Sequence, residues 1–312
     1  MVIQTGNRTD IPAFYPEWFA NRLREKYVLV RNPFNPLSVT RYELDPKVVD
    51  LIVFCSKNPA PLLPYRDLLA PFRRYWFVTI TPYGKDIEPN VPEPEKVIDT
   101  FRQISDIVGP DCITWRYDPI IVNEEWTVDR HIEAFSSMCE KLSGATRVCV
   151  ISFIDLYDKV RRNYPEVRTV PMPVQLELTS AFVQIARRHG MTIRPCAESR
   201  ILEKAGADCS GCMTVKTFEQ AIGHPLIVPP NPNNRKECAC YLTGDIGAYN
   251  TCLHLCRYCY ANADAPLVRA NRKMHDPSSP LLIGHVREED VIHQARQASW
   301  IDPQLRLDLT IS

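Results

Sequence analysis

From residue 2 to residue 195, short β-branched and aromatic runs alternate with stretches of helical periodicity. This rhythm limits the possible folds more than any other feature. Strands are expected at residues 2–5, 51–55, 75–81, 112–116, 147–152 and 192–195. Helices are expected at residues 16–26, 65–74, 95–108, 128–142 and 174–189, the last entered just after Pro173. Strands alternating with helices make parallel βαβ units. Six of them predict an α/β fold, either a (β/α) barrel or a partial TIM-like barrel, with an open doubly wound sheet as the alternative. Tyr27–Arg31 and Ser38–Glu43 read as an inserted hairpin turning at Asn32-Pro33-Phe34-Asn35-Pro36. The expected division is residues 1–195 as the barrel-like domain and residues 196–312 as a cysteine-rich region. That region would carry a C-terminal helix near residues 288–298 and pack on the barrel mouth. The proline- and asparagine-rich stretch at residues 225–234 reads as a linker.

The bulk numbers exclude several classes. Charges balance at 37 basic and 37 acidic residues, so nothing in the total draws the chain to nucleic acid or an anionic membrane. With 11 glycines there is no phosphate-cradling Gly-rich loop of either common type, which argues against dinucleotide dehydrogenases and NTPases. Residues 1–10 have neither a basic start nor an apolar run, and no stretch approaches the roughly 20 apolar residues of a membrane span. A cytoplasmic protein is expected.

Twelve cysteines in a cytoplasmic chain call for a reason other than disulfides. Cys55, Cys112, Cys139 and Cys149 lie among apolar residues and read as core packing. The other eight fall between Cys196 and Cys259. The densest group is Thr251-Cys252-Leu253-His254-Leu255-Cys256-Arg257-Tyr258-Cys259-Tyr260. Its C-x3-C-x2-C spacing lets three thiolates grip three corners of an iron–sulfur cubane and leaves the fourth iron open. Clusters held for electron transfer normally have four cysteine ligands. Open coordination marks chemistry in metal sites, and closed coordination marks structure.

This spacing, with Tyr258 just before the third cysteine, resembles the signature of the radical S-adenosylmethionine (SAM) superfamily. The resemblance implies a [4Fe–4S] cluster on Cys252, Cys256 and Cys259, with SAM chelating the open iron and Tyr258 against the adenine. It implies reductive cleavage of SAM to a 5′-deoxyadenosyl radical, hydrogen abstraction from a small-molecule substrate, and an electron donor such as flavodoxin or ferredoxin. Nearly the whole chain also resembles an uncharacterised bacterial family of unknown function. The stretches that carry this are Arg8 to Phe19, Ser56-Lys57-Asn58-Pro59, Trp115-Arg116-Tyr117-Asp118-Pro119, Asp245-Ile246-Gly247 and Tyr249-Asn250-Thr251-Cys252. In most radical SAM enzymes the cysteine loop follows the first strand. Here it follows the last, an order that a permuted barrel accommodates. No Gly-Gly-Glu motif follows a second strand.

Ligands meet the carboxyl ends of strands in parallel barrels. Those ends carry Asn7-Arg8-Thr9-Asp10, Cys55-Ser56-Lys57-Asn58-Pro59, Arg116-Tyr117-Asp118-Pro119, and Cys196-Ala197-Glu198. Lys57 and Asn58 are the further candidates on the cofactor side. Arg116, Asp118 and Glu198 are candidate catalytic groups, with structural ion pairing as the plain alternative. Cys196, Cys209, Cys212, Cys238 and Cys240 are candidate ligands of an auxiliary cluster or of zinc, since both are held by the same thiolate chemistry. His254 reads as a supporting residue rather than a ligand. A structural zinc module pairing Cys209-x2-Cys212 with Cys256-x2-Cys259 is the non-enzymatic alternative. Cys259-Tyr260-Ala261 and Lys57-Asn58-Pro59 also faintly resemble spore photoproduct lyases, which would make Arg269, Arg272 and Lys273 a phosphate-contact patch; a solvated charged loop is the plainer reading of those three.

Overall fold

A computed structural model describes residues 1–230, 238–241 and 244–303. The last part of the expected 225–234 linker therefore lies outside the described residues. Seven parallel strands form one sheet: β1 (Val2–Gln4), β4 (Leu51–Ser56), β5 (Arg74–Thr79), β6 (Ile113–Ile120), β7 (Val148–Phe153), β8 (Thr192–Pro195) and β9 (Gly244–Asp245). Their order across the sheet is β8-β7-β6-β5-β4-β1-β9. From β1 to β8 each new strand of this sheet is added on the same side of the last. That is the progression of a barrel, but among the described residues β8 and β9 remain edges, and the sheet is open where a closed barrel was an expected outcome. Closure requires the first and last strands to meet in register.

Side-chain alternation along the strands divides the interior in two. Ile52, Phe54, Trp76, Val78 and Trp115 pack with α2 (Pro16–Glu25), α4 (Pro94–Val108), α5 (Val128–Leu142) and α7 (Met172–Arg188) in the larger core. Within it the Phe135 and Phe182 rings stack at 3.9 Å. Leu51, Val53, Tyr75, Phe77 and Val150 face the other way. They are covered by Cys212, Met213, Cys240, Ile301 and Phe218 of α8 (Val215–Ile222). Both faces are thus buried, which is why β4 reads LIVFCS with little alternation. Cys139 and Cys149 are fully buried in the larger core, as read from the sequence, and Cys55 and Cys112 pack against the smaller one.

Helix ends follow local chemistry. Thr127 caps α5 by accepting from the Arg130 N–H, and Pro94 starts α4. The helix expected at residues 65–74 shrinks to a 3-10 turn at Ala60–Tyr65 and one turn, α3 (Arg66–Leu69). Pro61 and Pro64 lie in the first and Pro71 follows the second. The hairpin forms as β2 (Tyr27–Arg31) and β3 (Ser38–Glu43). The tail corrects the reading of residues 288–298 as a helix: Val291–Gln294 is an exposed strand, β10, parallel to β3. The helix that does form after the cysteine loop is α9 (Ala265–Lys273), capped by Asp264. Among the described residues no helix is long and apolar enough to cross a membrane.

The first strand exit leaves no room for a side chain at Gly6, where an added Cβ would overlap the Cβ and carbonyl oxygen of Cys55. Gly6→Ala is expected to lower stability by about 1–3 kcal/mol by overpacking. Urea unfolding checks this, and an unchanged midpoint would contradict the packing described.

Candidate functional site

The cysteine loop leaves the edge strand β9 and runs across the carboxyl rim of the sheet. Asp245 ties this exit to that of β1, accepting from the Asn7 N–H at 2.8 Å and the Gly247 N–H at 2.9 Å. Asn250 and Leu255 both take left-handed backbone, at φ 59° and 56°. These reversals and the Cys259 N–H to Cys256 carbonyl bond at 3.0 Å fold the loop back on itself. Loops from three strand exits then pin it. After β1, the Tyr15 hydroxyl donates to the Thr251 carbonyl at 2.7 Å. After β5, Asn90 Nδ2 donates to the Leu253 carbonyl at 2.7 Å, and the Arg257 N–H donates to Ile87. After β7, Arg257 pairs with Glu166 at 2.6 Å.

One carboxylate holds the centre. Asp10 Oδ1 accepts from the Ala13 N–H, capping α1 (Ile11–Phe14), and from Ser56 Oγ at 2.8 Å. Its Oδ2 accepts from the Lys57 N–H at 2.7 Å and lies 2.9 Å from His254 Nε2. His254 Nδ1 faces the Asn90 carbonyl at 3.3 Å, so both ring nitrogens are engaged and the histidine supports the loop. A second buried carboxylate, Glu88, accepts from Lys57 Nζ at 2.9 Å, from Thr81 Oγ1 at 2.7 Å and from the Tyr258 hydroxyl. Lys57 Nζ also stands 5.6 Å from the Tyr258 ring centroid. Burial alone would lower the Lys57 ammonium, but facing Glu88 and Cys256 holds its pKa above the ordinary value. Asn58 contributes its backbone N–H to Ser56 Oγ at 3.0 Å.

Cys252, Cys256 and Cys259 share one neighbourhood. Burial first, then the nearby Cys259, Asp10 and Cys256, hold the Cys252 thiol well above its ordinary pKa. Burial, followed by Glu88, likewise raises Cys256, where Lys57 acts in the opposite sense.

The remaining cysteines divide. Cys196, Cys212 and Cys240 have all three sulfurs within 4.8 Å of one another, and among the described residues they are the one such group of potential ligands. Cys212 Sγ lies 3.3 Å from both Cys196 Sγ and Cys240 Sγ. These three could bind a metal ion. Cys209 and Cys238 line the same cavity of about 220 Å³. Cys212 groups with Cys196 and Cys240, and no loop cysteine belongs to that group. Arg116 and Asp118 form an ion pair (Nε to Oδ2 3.1 Å), and Arg116 also reaches the Cys196 sulfur. Glu198 lines the cavity and accepts from Ser152 Oγ at 3.0 Å and the Phe153 N–H at 2.7 Å; burial pushes its pKa up to about 7. The candidate catalytic residues therefore gather beside the second thiol group, whereas Lys57 and Tyr258 gather beside the loop. Asp118 lies within electrostatic reach of both Lys57 and Glu198 and links the two sets. Arg272 of α9 is engaged with the Phe14 carbonyl at 3.3 Å and stands over the Tyr15 ring, so one member of the suggested phosphate patch serves the fold.

Sequence reasoning missed Asp10, Glu88 and Asn90 as organising residues. Asp10 stood in a polar strand exit but carried no spacing signal, and Glu88 and Asn90 lie in a loop without a motif. On the far side of the loop a cavity of about 800 Å³ opens, bordered by Arg8, Lys159, Tyr249, Tyr260, His285 and the hairpin. That size suits a small-molecule ligand.

Asp10→Ala would strand several buried donors at once and is expected to cost about 1–3 kcal/mol for each unsatisfied group. Urea unfolding of the unloaded protein measures it; a loss no larger than that of an exposed Asp→Ala control would contradict the anchoring role.

The sequence model of a family described as a domain of unknown function (DUF1848) matches residues 2–261, and the chain belongs to that family. No curated protein matches the chain significantly.

Proposed function

We propose that this member of the DUF1848 family is a radical SAM enzyme, with a [4Fe–4S] cluster held by Cys252, Cys256 and Cys259. The observation that carries this reading is a set of three thiols, Cys256 buried and Cys252 and Cys259 half-buried, on one pinned loop at the sheet's carboxyl rim, without a fourth ligand from that loop. The donor set fits an open cubane: the fourth potential ligand within the loop, His254, is spent on Asp10 and Asn90. Sheet order supports the reading too. β9 lies beside β1, so the loop-bearing strand precedes β1 in space although it follows it in the chain. This is the permuted arrangement that the motif's late position requires.

When bound, the cluster would supply the electron that cleaves SAM into methionine and a 5′-deoxyadenosyl radical able to abstract hydrogen from substrate. The chain's own residues position and shield. Glu88 fixes the Tyr258 ring through its hydroxyl, leaving an aromatic surface for adenine. Lys57 sets a buried cation beside Cys256, where thiolate charge would accumulate. Asp10 and Asn90 keep the loop shut against the rim, which excludes water from a reactive centre. Arg8 and Lys159 give the adjoining cavity a cationic wall, and Tyr249 and Tyr260 an aromatic one, which fits a small substrate bearing negative charge.

Anaerobic reconstitution with iron and sulfide, followed by reductant and SAM, should yield 5′-deoxyadenosine detectable by mass spectrometry. The Cys252→Ser, Cys256→Ser, Cys259→Ser triple variant should yield none. Tyr258→Ala should weaken SAM binding about tenfold, the scale of one lost base–aromatic stack. SAM cleavage retained in the triple variant would refute the assignment.

A further inference from the structure

We propose that Cys196, Cys212, Cys238 and Cys240 form a closed tetrathiolate site for a single zinc ion, distinct from the three-cysteine loop. The sulfur spacing argues for one ion. Zinc–sulfur bonds of about 2.3 Å in a tetrahedron put neighbouring sulfurs about 3.8 Å apart. Two of the separations are 3.3 Å, and the third pair closes within 4.8 Å. Thiolates on different corners of a cubane stand on different irons, with the cluster between them, and need a wider span.

The fourth ligand follows from placement. Cys238 lines the same cavity beside Cys240. Its sulfur stands outside the 4.8 Å triad, so binding the ion draws it inward as the fourth ligand. Cys209 borders the cavity too, but its charged surroundings are Glu203, Arg200 and Asp208, and it packs against the larger core. Four protein thiolates leave no open position, which is the mark of a structural site. Their charge has a counterpart in Arg116, whose guanidinium reaches the Cys196 sulfur and which is itself paired with Asp118.

The position gives the ion a task. Cys196 directly follows the open edge strand β8. Cys212 and Cys240 lie in the segments that, with α8, cover the smaller core. An ion there fastens that cover to the edge of a sheet that strand pairing leaves open. It also fixes the Arg116–Asp118 pair beside Cys196. This assignment stands on the second thiol group alone and survives if the loop has another role.

The test uses the full chain carrying Cys252→Ser, Cys256→Ser and Cys259→Ser, expressed with zinc and iron both supplied. Elemental and acid-labile sulfide analysis should find one zinc per chain and no sulfide. Adding Cys212→Ser should remove the zinc and lower the melting temperature. Zinc-edge X-ray absorption on the wild-type chain provides a reading independent of that variant's folding, expected to show four sulfur neighbours at about 2.3 Å. Iron with sulfide in the loop variant, absence of zinc, or nitrogen and oxygen neighbours at the zinc edge would each overturn the proposal.

Discussion

The buried carboxylate of Asp10 joins parts of the chain that the rest of the site depends on. It caps the short helix after the first strand, accepts from the exit of the neighbouring strand at Ser56 and Lys57, and meets His254, 244 residues away in sequence. A carboxylate buried to this degree is tolerated only when its oxygens are fully engaged. The loop bearing Cys252, Cys256 and Cys259 is therefore held against the rim by the same bonds that make the burial of Asp10 possible. Glu88 repeats the device one strand further on, with Lys57, Thr81 and Tyr258 as its partners. Lys57 serves both, through its backbone N–H to Asp10 and its ammonium to Glu88.

Around these anchors the fold divides its labour. The larger core fastens helices to one face of a parallel sheet, and the smaller core closes the other face beneath a cysteine-bearing cover. An open sheet has an unfilled side, and both thiol groups lie near its margins: one loop springs from edge strand β9, and Cys196 follows edge strand β8. Cys55 lies between them, within electrostatic reach of Arg116, Asp10 and Cys196, and burial pushes its thiol up to about 12. Cys55 thus stands between the surroundings of the two groups.

Much of this was legible in the chain. Hydrophobic runs bounded by polar exits located six of the seven sheet strands, and the proline-rich turn located the hairpin. β9 escaped because it is two residues long, Gly244 and Asp245, with no apolar run to announce it. β10 escaped because its four residues are exposed and owe their form to pairing with β3. Closure was out of reach as well, since whether the first and last strands meet depends on curvature accumulated over the whole sheet. At the site, cysteine spacing exposed the loop because its ligands are local. Asp10, Glu88 and Asn90 act through partners more than 160 residues away, Asn90 for example on Leu253, and no spacing encodes that. The second thiol group was visible as a list of cysteines, but only the fold separated Cys209 from the others.

In the proposed function, three thiolates leave one iron free to be chelated by SAM. Electron paramagnetic resonance of the reduced, reconstituted protein tests this directly when SAM labelled with nitrogen-15 at its amino group is added. The expected result is a [4Fe–4S] signal whose shape changes on addition, with a hyperfine coupling from the labelled nitrogen. A cluster signal indifferent to SAM, or no cubane signal at all, would contradict it.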